Sequence, residues 1–137
     1  MIALIDTNIL LDVLQRRQPY EVVAAEVWKL VEHGFIEGVV SAISFNNIYY
    51  IARKRDGKDK ALEAVKLVRQ TFRVIALDAD VIDEAIATSG SDFEDAIQAA
   101  CAKRASAKHI ITRNISDFVA LDVHALTADE LLALVKP

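Results

Sequence analysis

The opening twelve residues constrain the fold of this chain more than any other stretch. Ile2-Ala3-Leu4-Ile5 is apolar without alternation, the pattern of a strand buried on both faces, as in a parallel sheet. The run stops at a carboxylate, Asp6. Thr7 and Asn8 are helix-starting residues, and Ile9, Leu10, Val13 and Leu14 then repeat at helical spacing, so the segment reads strand, acid, helix. Ligand sites in open α/β sheets lie just beyond the carboxyl ends of strands. Asp6 is therefore a functional candidate, although capping the helix is the plainer role for an acid so placed.

The same alternation continues. After a polar break at 15–19, residues 20–33 place Val23, Val27, Leu30 and Val31 on one helical face, with Gly34 as the stop. Residues 35–41 read as a second strand. Ser41 or Ser44 opens a helix carrying the stripe Phe45, Ile48, Tyr49 and Ala52, which ends at Arg53-Lys54-Arg55. A helix over 58–70, a strand over 73–77 and a helix around Val81 to Ile86 follow. Ser89-Gly90-Ser91 breaks that helix, and Asp92 begins another that runs to about Ala105. His109-Ile110-Ile111-Thr112 is a buried strand leading into a polar turn at 113–118. A last strand near Val123 precedes Thr127-Ala128-Asp129-Glu130, a capping box. Short strands separated by helices imply right-handed crossovers and one mainly parallel sheet.

The length, 137 residues, fits a single domain over 1–137 that needs no disulfide. The lone Cys101 lies in an Ala-rich helical pattern and reads as a packed thiol, which suits a reducing cytoplasm. No apolar run approaches a membrane span and no export signal opens the chain, so no membrane partner is expected. A net charge of -4 argues against strong nonspecific affinity for nucleic acid through a global field. It leaves room for acids clustered around a cation.

Those acids form a pattern. Asp92 and Asp95, three apart, share one face of a first helical turn, while Glu94 points elsewhere; the same placement also suits an N-cap and a third-position acid. Asp117 follows a buried strand, as Asp6 does. With parallel strands, Asp6 and Asp117 emerge at one edge, and the helix carrying Asp92 and Asp95 can start there too. Converging carboxylates without matching Lys or Arg repel one another unless a cation neutralises them. Oxygen-only donors suit Mg²⁺ or Mn²⁺, and His33, His109 and His124 are too scattered to suggest zinc.

Leu4-Ile5-Asp6-Thr7-Asn8-Ile9-Leu10, Asp92-Phe93-Glu94-Asp95-Ala96 and Ile111-Thr112-Arg113-Asn114-x-x-Asp117-Phe118 resemble, in order and spacing, the three motifs of PIN-domain ribonucleases. The resemblance implies a three-layer α/β/α fold and a Mg²⁺ or Mn²⁺ site. Small stand-alone members are mostly VapC-like toxins that cut RNA. Carried over to this sequence, Asp6, Asp95 and Asp117 would hold the metal, with Asp92 assisting as a fourth catalytic acid. Thr7, Asn8, Thr112 and Asn114 would orient the carboxylates. Arg113 would contact substrate phosphate; Arg16, Arg17 and Arg53 to Arg55 are further cationic candidates. One position departs from the family: where it normally places a Glu on the helix after the second strand, this chain has Asn47, which offers an oxygen but no charge.

The resemblance also implies an RNA substrate, a small antitoxin as partner and a homodimer. Two functional readings stand beside each other: a metal-dependent endoribonuclease, and a PIN domain that has lost catalysis and binds RNA or protein, for which Asn47 is the evidence. A phosphatase of the haloacid dehalogenase type fits poorly, because Asn8 stands where its second acid belongs. Tyr49 and Tyr50 fall on or beside an apolar stripe and read as core or interface.

Overall fold

The computed structural model describes residues 1–88 and 92–135; the break read at Ser89-Gly90-Ser91 lies outside the described residues. Five strands, β1 (Ile2–Ile5), β2 (Glu37–Ser41), β3 (Arg73–Ile75), β4 (His109–Ile111) and β5 (Ala125–Leu126), form one sheet in the order β3-β2-β1-β4-β5. Every pairing is parallel. β1 is central, so its apolar run is covered on both sides by helices as well as flanked by strands.

Alternate residues of each strand feed opposite layers, as the two-residue period of a strand requires. Ala3, Ile5, Val40 and Ile111 join one core with α1 (Thr7–Leu14), α2 (Glu21–Glu32), α3 (Ala42–Asp56), α4 (Lys58–Thr71) and α7 (Ala128–Val135), where Leu10, Val27, Trp28, Ile48, Val68 and Leu131 are buried. Leu4, Val39 and Ile110 join the other with α5 (Ala79–Ala87), α6 (Phe93–Arg104) and a 3₁₀ helix, Ile115–Leu121. The result is the three-layer α/β/α arrangement. Among the described residues no helix is long and apolar enough to cross a membrane.

Several boundaries differ from the sequence reading. β2 starts at Glu37 and not at Phe35, because Gly34 turns the chain at φ +77° and Phe35 stands 69% exposed. β3 stops at Ile75, and the last strand is Ala125–Leu126, beyond Val123. The polar turn after β4 continues as the 3₁₀ helix, since Phe118 and Leu121 drive into the core. Gly57, at φ +89°, separates α3 from α4. Cys101 is a packed thiol whose Sγ donates to Ser41 Oγ at 3.3 Å.

Candidate active site

Parallel strands deliver their carboxyl ends to one edge of the sheet, and there a cavity of about 430 Å³ opens. Asp6, Thr7 and Asn8 enter it from the β1–α1 junction, Asn47, Tyr50 and Ile51 from α3, Asp92, Glu94 and Asp95 from the start of α6, and Asn114 from the segment after β4. Among the described residues no lysine or arginine lines it.

Asp6 is 7% exposed and held at both oxygens. Oδ1 accepts from the Thr7 amide at 2.8 Å and Oδ2 from the Thr112 hydroxyl at 2.8 Å, while the Asp6 carbonyl starts α1 by accepting from Ile9. Asp6 thus caps α1 itself, the plainer role the sequence suggested for it, and lines the cavity as well. The Thr7 hydroxyl goes elsewhere, to Ser44 Oγ at 2.7 Å; Gln98 Nε2 donates to that Ser44 at 3.1 Å. This buried polar group beneath the cavity had no signal in the sequence, because its members lie on three different helices. Thr112 Oγ1 also accepts from the Asn114 amide at 3.1 Å, tying the loop after β4 to Asp6.

At α6, Asp92 is the N-cap, accepting from the amides of Glu94 at 2.9 Å and Asp95 at 3.2 Å. It lines the cavity as well, so capping and lining are not alternatives here. Glu94 also lines the cavity, which corrects the expectation that it points elsewhere. The face argument compares positions around a helix axis, whereas this cavity sits against the helix end, around which all first-turn side chains fan. Asn47 supplies the specific hold, Nδ2 donating to Glu94 Oε1 at 2.9 Å.

Three of the carboxylates, Asp6, Glu94 and Asp95, resist ionisation. Burial raises Asp6, with the charge of Asp117 adding and Thr112, the Thr7 amide and Arg113 opposing. Asp95 is pushed up to about 6, first by burial and then by the charges of Asp92, Asp6, Asp117 and Glu94. Glu94 is raised by burial and by Asp6 and Asp92, against the Asn47 hydrogen bond. Asp117 is exposed and outside the cavity wall, but near enough to bear on both Asp6 and Asp95. Among the described residues no three ligating side chains stand close enough, as placed, to hold one ion. The donor set fits a hard divalent cation all the same: its carboxylates offer oxygen only, no cationic side chain stands in the wall among the described residues, and Asp6, Glu94 and Asp95 are each raised by a neighbouring carboxylate.

Arg113 lies beside this cavity and faces away from it. Its Nε is 3.1 Å from Oδ2 of Asp12, a fully buried carboxylate of α1, and its guanidinium carbon stands 4.1 Å from the centre of the Tyr20 ring. The contact is an ion pair without an aligned hydrogen bond. The partner was unforeseen, since nothing in the sequence singled out Asp12. Tyr50, read as core or interface, is 61% exposed at the cavity. His109 and His124, expected to be scattered, meet through their Nδ1 atoms at 2.7 Å, far from the acids at the opposite strand ends.

A family model described as PIN domain matches residues 3–116. The chain belongs to the PIN-domain family. No curated protein sequence matches it. Among solved structures, it resembles VapBC2 from Rickettsia felis bound to a DNA fragment from its promoter, at TM-score 0.74 and 15% identity over 93% of this chain and 98% of that one. FitAB bound to an IR36 DNA fragment gives 0.68 at 27% identity, over 93% and 95%. VapC20 from Mycobacterium tuberculosis, described as a sarcin-ricin loop cleaving toxin, gives 0.65 at 15% identity, over 79% and 86%. These likenesses place the chain in a VapC-like PIN fold.

Proposed function

We propose that this PIN domain, a single unit over 1–137, is an endoribonuclease that hydrolyses RNA phosphodiester bonds with Mg²⁺ or Mn²⁺. We propose further that it is the cytoplasmic toxin of a toxin–antitoxin pair, forms a homodimer and is silenced by a small antitoxin. The observation that carries the reading is the cavity wall: four carboxylates, Asp6, Asp92, Glu94 and Asp95, line one cavity at the carboxyl edge of a parallel sheet, with no lysine or arginine beside them among the described residues. The antitoxin follows from the VapBC and FitAB neighbours, and the RNA substrate from the toxin described as cleaving the sarcin-ricin loop.

Asp6, Asp95 and Asp117 would hold the cation, which when bound activates water and offsets charge developing on the phosphate. The chain's own groups prepare this. Thr112 and the Thr7 amide fix the Asp6 carboxylate in one orientation, leaving its remaining lone pairs toward the cavity. Asp92 completes the negative pocket while capping α6. Asn8 and Asn114 offer neutral polar groups at the rim. Asp95, with its pKa near 6, holds a proton in mildly acidic solution and loses it at neutrality, when it becomes a full ligand.

The competing reading, a PIN domain that binds without cutting, is favoured by the uncharged Asn47. Its force is reduced by Glu94, which brings a carboxylate to Asn47 and restores the charge missing from α3. The test is Mn²⁺-dependent cleavage of a structured RNA by the wild type, Asp6→Asn, Asp95→Asn and Asn47→Glu. Cleavage lost in both Asp variants supports the nuclease. A wild type that is inert while Asn47→Glu cuts supports the binding module.

A further inference from the structure

Below the acidic cavity, α6 and α3 run past each other in opposite directions and meet through a ladder of polar contacts. Asn47 Nδ2 donates to Glu94 Oε1 at 2.9 Å, Gln98 Nε2 to Ser44 Oγ at 3.1 Å, and Cys101 Sγ to Ser41 Oγ, the cap of α3, at 3.3 Å. Successive rungs stand three or four residues apart on each helix, so each lies one turn below the last. The middle rung also reaches α1: Thr7 Oγ1 is 2.7 Å from Ser44 Oγ and 3.4 Å from Gln98 Nε2. Ser44 and Gln98 are fully buried, and Thr7 nearly so.

Stability alone would not choose this knot. The buried neighbours of Gln98 on α6, among them Ala96, Ile97, Ala99 and Ala100, are apolar. Gln98 instead leaves Oε1 as a buried acceptor without a partner, which costs stability. What the polar group adds is geometry. Hydrogen bonds are directional, and side chains locked behind a site hold its ligands to within about 0.5 Å, whereas apolar surfaces can slide.

We propose that Ser44 and Gln98 are positioning residues that set the spacing of the carboxylates around the cation, an inference that rests on the cation reading of the cavity. Each member of the knot stands behind a cavity residue. Thr7 follows Asp6, and its amide holds Asp6 Oδ1. Ser44 lies one turn before Asn47, and Gln98 one turn after Glu94 and Asp95. Neither Ser44 nor Gln98 lines the cavity, so both act through the backbones of residues that do. The three helices that bring the acids and Asn47 together are thus tied at one point, directly below carboxylates whose charges push them apart.

The test is Mn²⁺ binding by the metal-free protein, followed by electron paramagnetic resonance with Mg²⁺ and Ca²⁺ as competitors. The wild type, Gln98→Met, Ser44→Ala and Ile97→Val are compared, with urea unfolding of each. Mg²⁺ demands near-ideal octahedral geometry, while Ca²⁺ accepts looser sites. Gln98→Met and Ser44→Ala should each lose about tenfold in Mg²⁺ affinity, the low end of what groups behind metal ligands contribute, and less than about threefold in Ca²⁺ affinity. The double variant should be no worse than the weaker single one, because both break one unit. Gln98→Met should unfold close to the wild-type urea midpoint, since it removes an unpaired acceptor and leaves Thr7 and Ser44 bonded to each other. Ile97→Val trims the buried face of α6 without removing a hydrogen bond of the knot; it should unfold at lower urea and keep the wild-type cation preference. A Mg²⁺-to-Ca²⁺ preference unchanged in both knot variants, or altered as much by Ile97→Val, overturns the positioning role and leaves the cation site standing. A wild type that binds none of the three cations overturns both. Should Gln98→Met fail to fold, Ser44→Ala carries the same comparison alone.

Discussion

The Asp12–Arg113 pair sets up a prediction about asymmetry. Asp12 is fully buried and neither of its oxygens has an aligned hydrogen bond, whereas the Arg113 side chain is 28% exposed. Breaking a buried ion pair by removing one partner costs about 3–5 kcal/mol, because a charge is stranded, while replacing both by apolar groups is often neutral. Arg113→Met strands the deeper charge and should cost that full amount, a large fraction of the roughly 5–15 kcal/mol that stabilises a typical domain. Asp12→Leu strands a guanidinium that can swing into water, and should cost about 1–2 kcal/mol, mostly in side-chain rearrangement. The double variant should return to within about 1 kcal/mol of the wild type. Burial already raises the Asp12 pKa against the charges of Arg113 and Arg17, and losing Arg113 raises it further. A carboxylate raised in the folded state favours the fold below its unfolded pKa and loses that advantage as pH rises through the folded value, so the defect of Arg113→Met should shrink on acidification. Urea denaturation in EDTA at neutral and mildly acidic pH measures all of this. Equal losses in the two single variants, or a pH-independent loss in Arg113→Met, refute the reasoning.

Three further outcomes follow from the geometry. Glu94→Gln and Asn47→Ala should each weaken Mn²⁺ binding measured by calorimetry, Glu94→Gln by about tenfold for the loss of one anionic oxygen ligand, and the double variant should bind no worse than Glu94→Gln because Asn47 acts through Glu94. Asp95 binds its proton more tightly folded, near pH 6, than its ordinary 3.8, so the metal-free protein should lose stability as pH rises through that window; Asp95→Asn should lack this loss, and wild-type Mn²⁺ affinity should climb over the same range. A Cβ on Gly38 would sit 2.7 Å from Phe72 Cδ1 and 2.8 Å from Val31 Cγ2, with Phe72 already packed edge-on to Trp28. Gly38→Ala should therefore destabilise by about 1–3 kcal/mol in urea titration.

Local pattern accounts for what was legible. An apolar run without alternation announced β1 as a central strand, and helical stripes with Gly at their ends located α2, α3 and α4. Asp6 and Asp92 stood out because strand ends and helix starts are marked by neighbours one to four residues away. The last strand was misplaced because Ala125–Leu126 is too short to carry any period, and the 3₁₀ helix was missed because its buried Phe118 and Leu121 are interleaved with Ser116, Asp117 and Ala120. What the acids touch was illegible for a different reason. Asn47 and Glu94, Thr112 and Asp6, and Arg113 and Asp12 are pairs from remote segments, and only the closed sheet brings their side chains together.

Those remote pairs change how the first motif should be understood. Thr112, adjoining β4, holds Asp6 at the start of α1, and Arg113, the next residue, holds Asp12 within the same helix. Consecutive residues thus fasten one loop to two points of α1, one at the acidic cavity and one in the core beside α2. The loop carries Asn114 into the cavity and Asp117 to its margin. Carboxylates that repel one another stay together only if their backbones are fixed by something else, and here the fixing groups are a threonine hydroxyl and a buried ion pair, neither of which needs to touch a cation or RNA. Arg113 therefore acts on the site through Asp12 and Tyr20 before it acts on any phosphate, which is why its replacement should register in the stability of the metal-free protein.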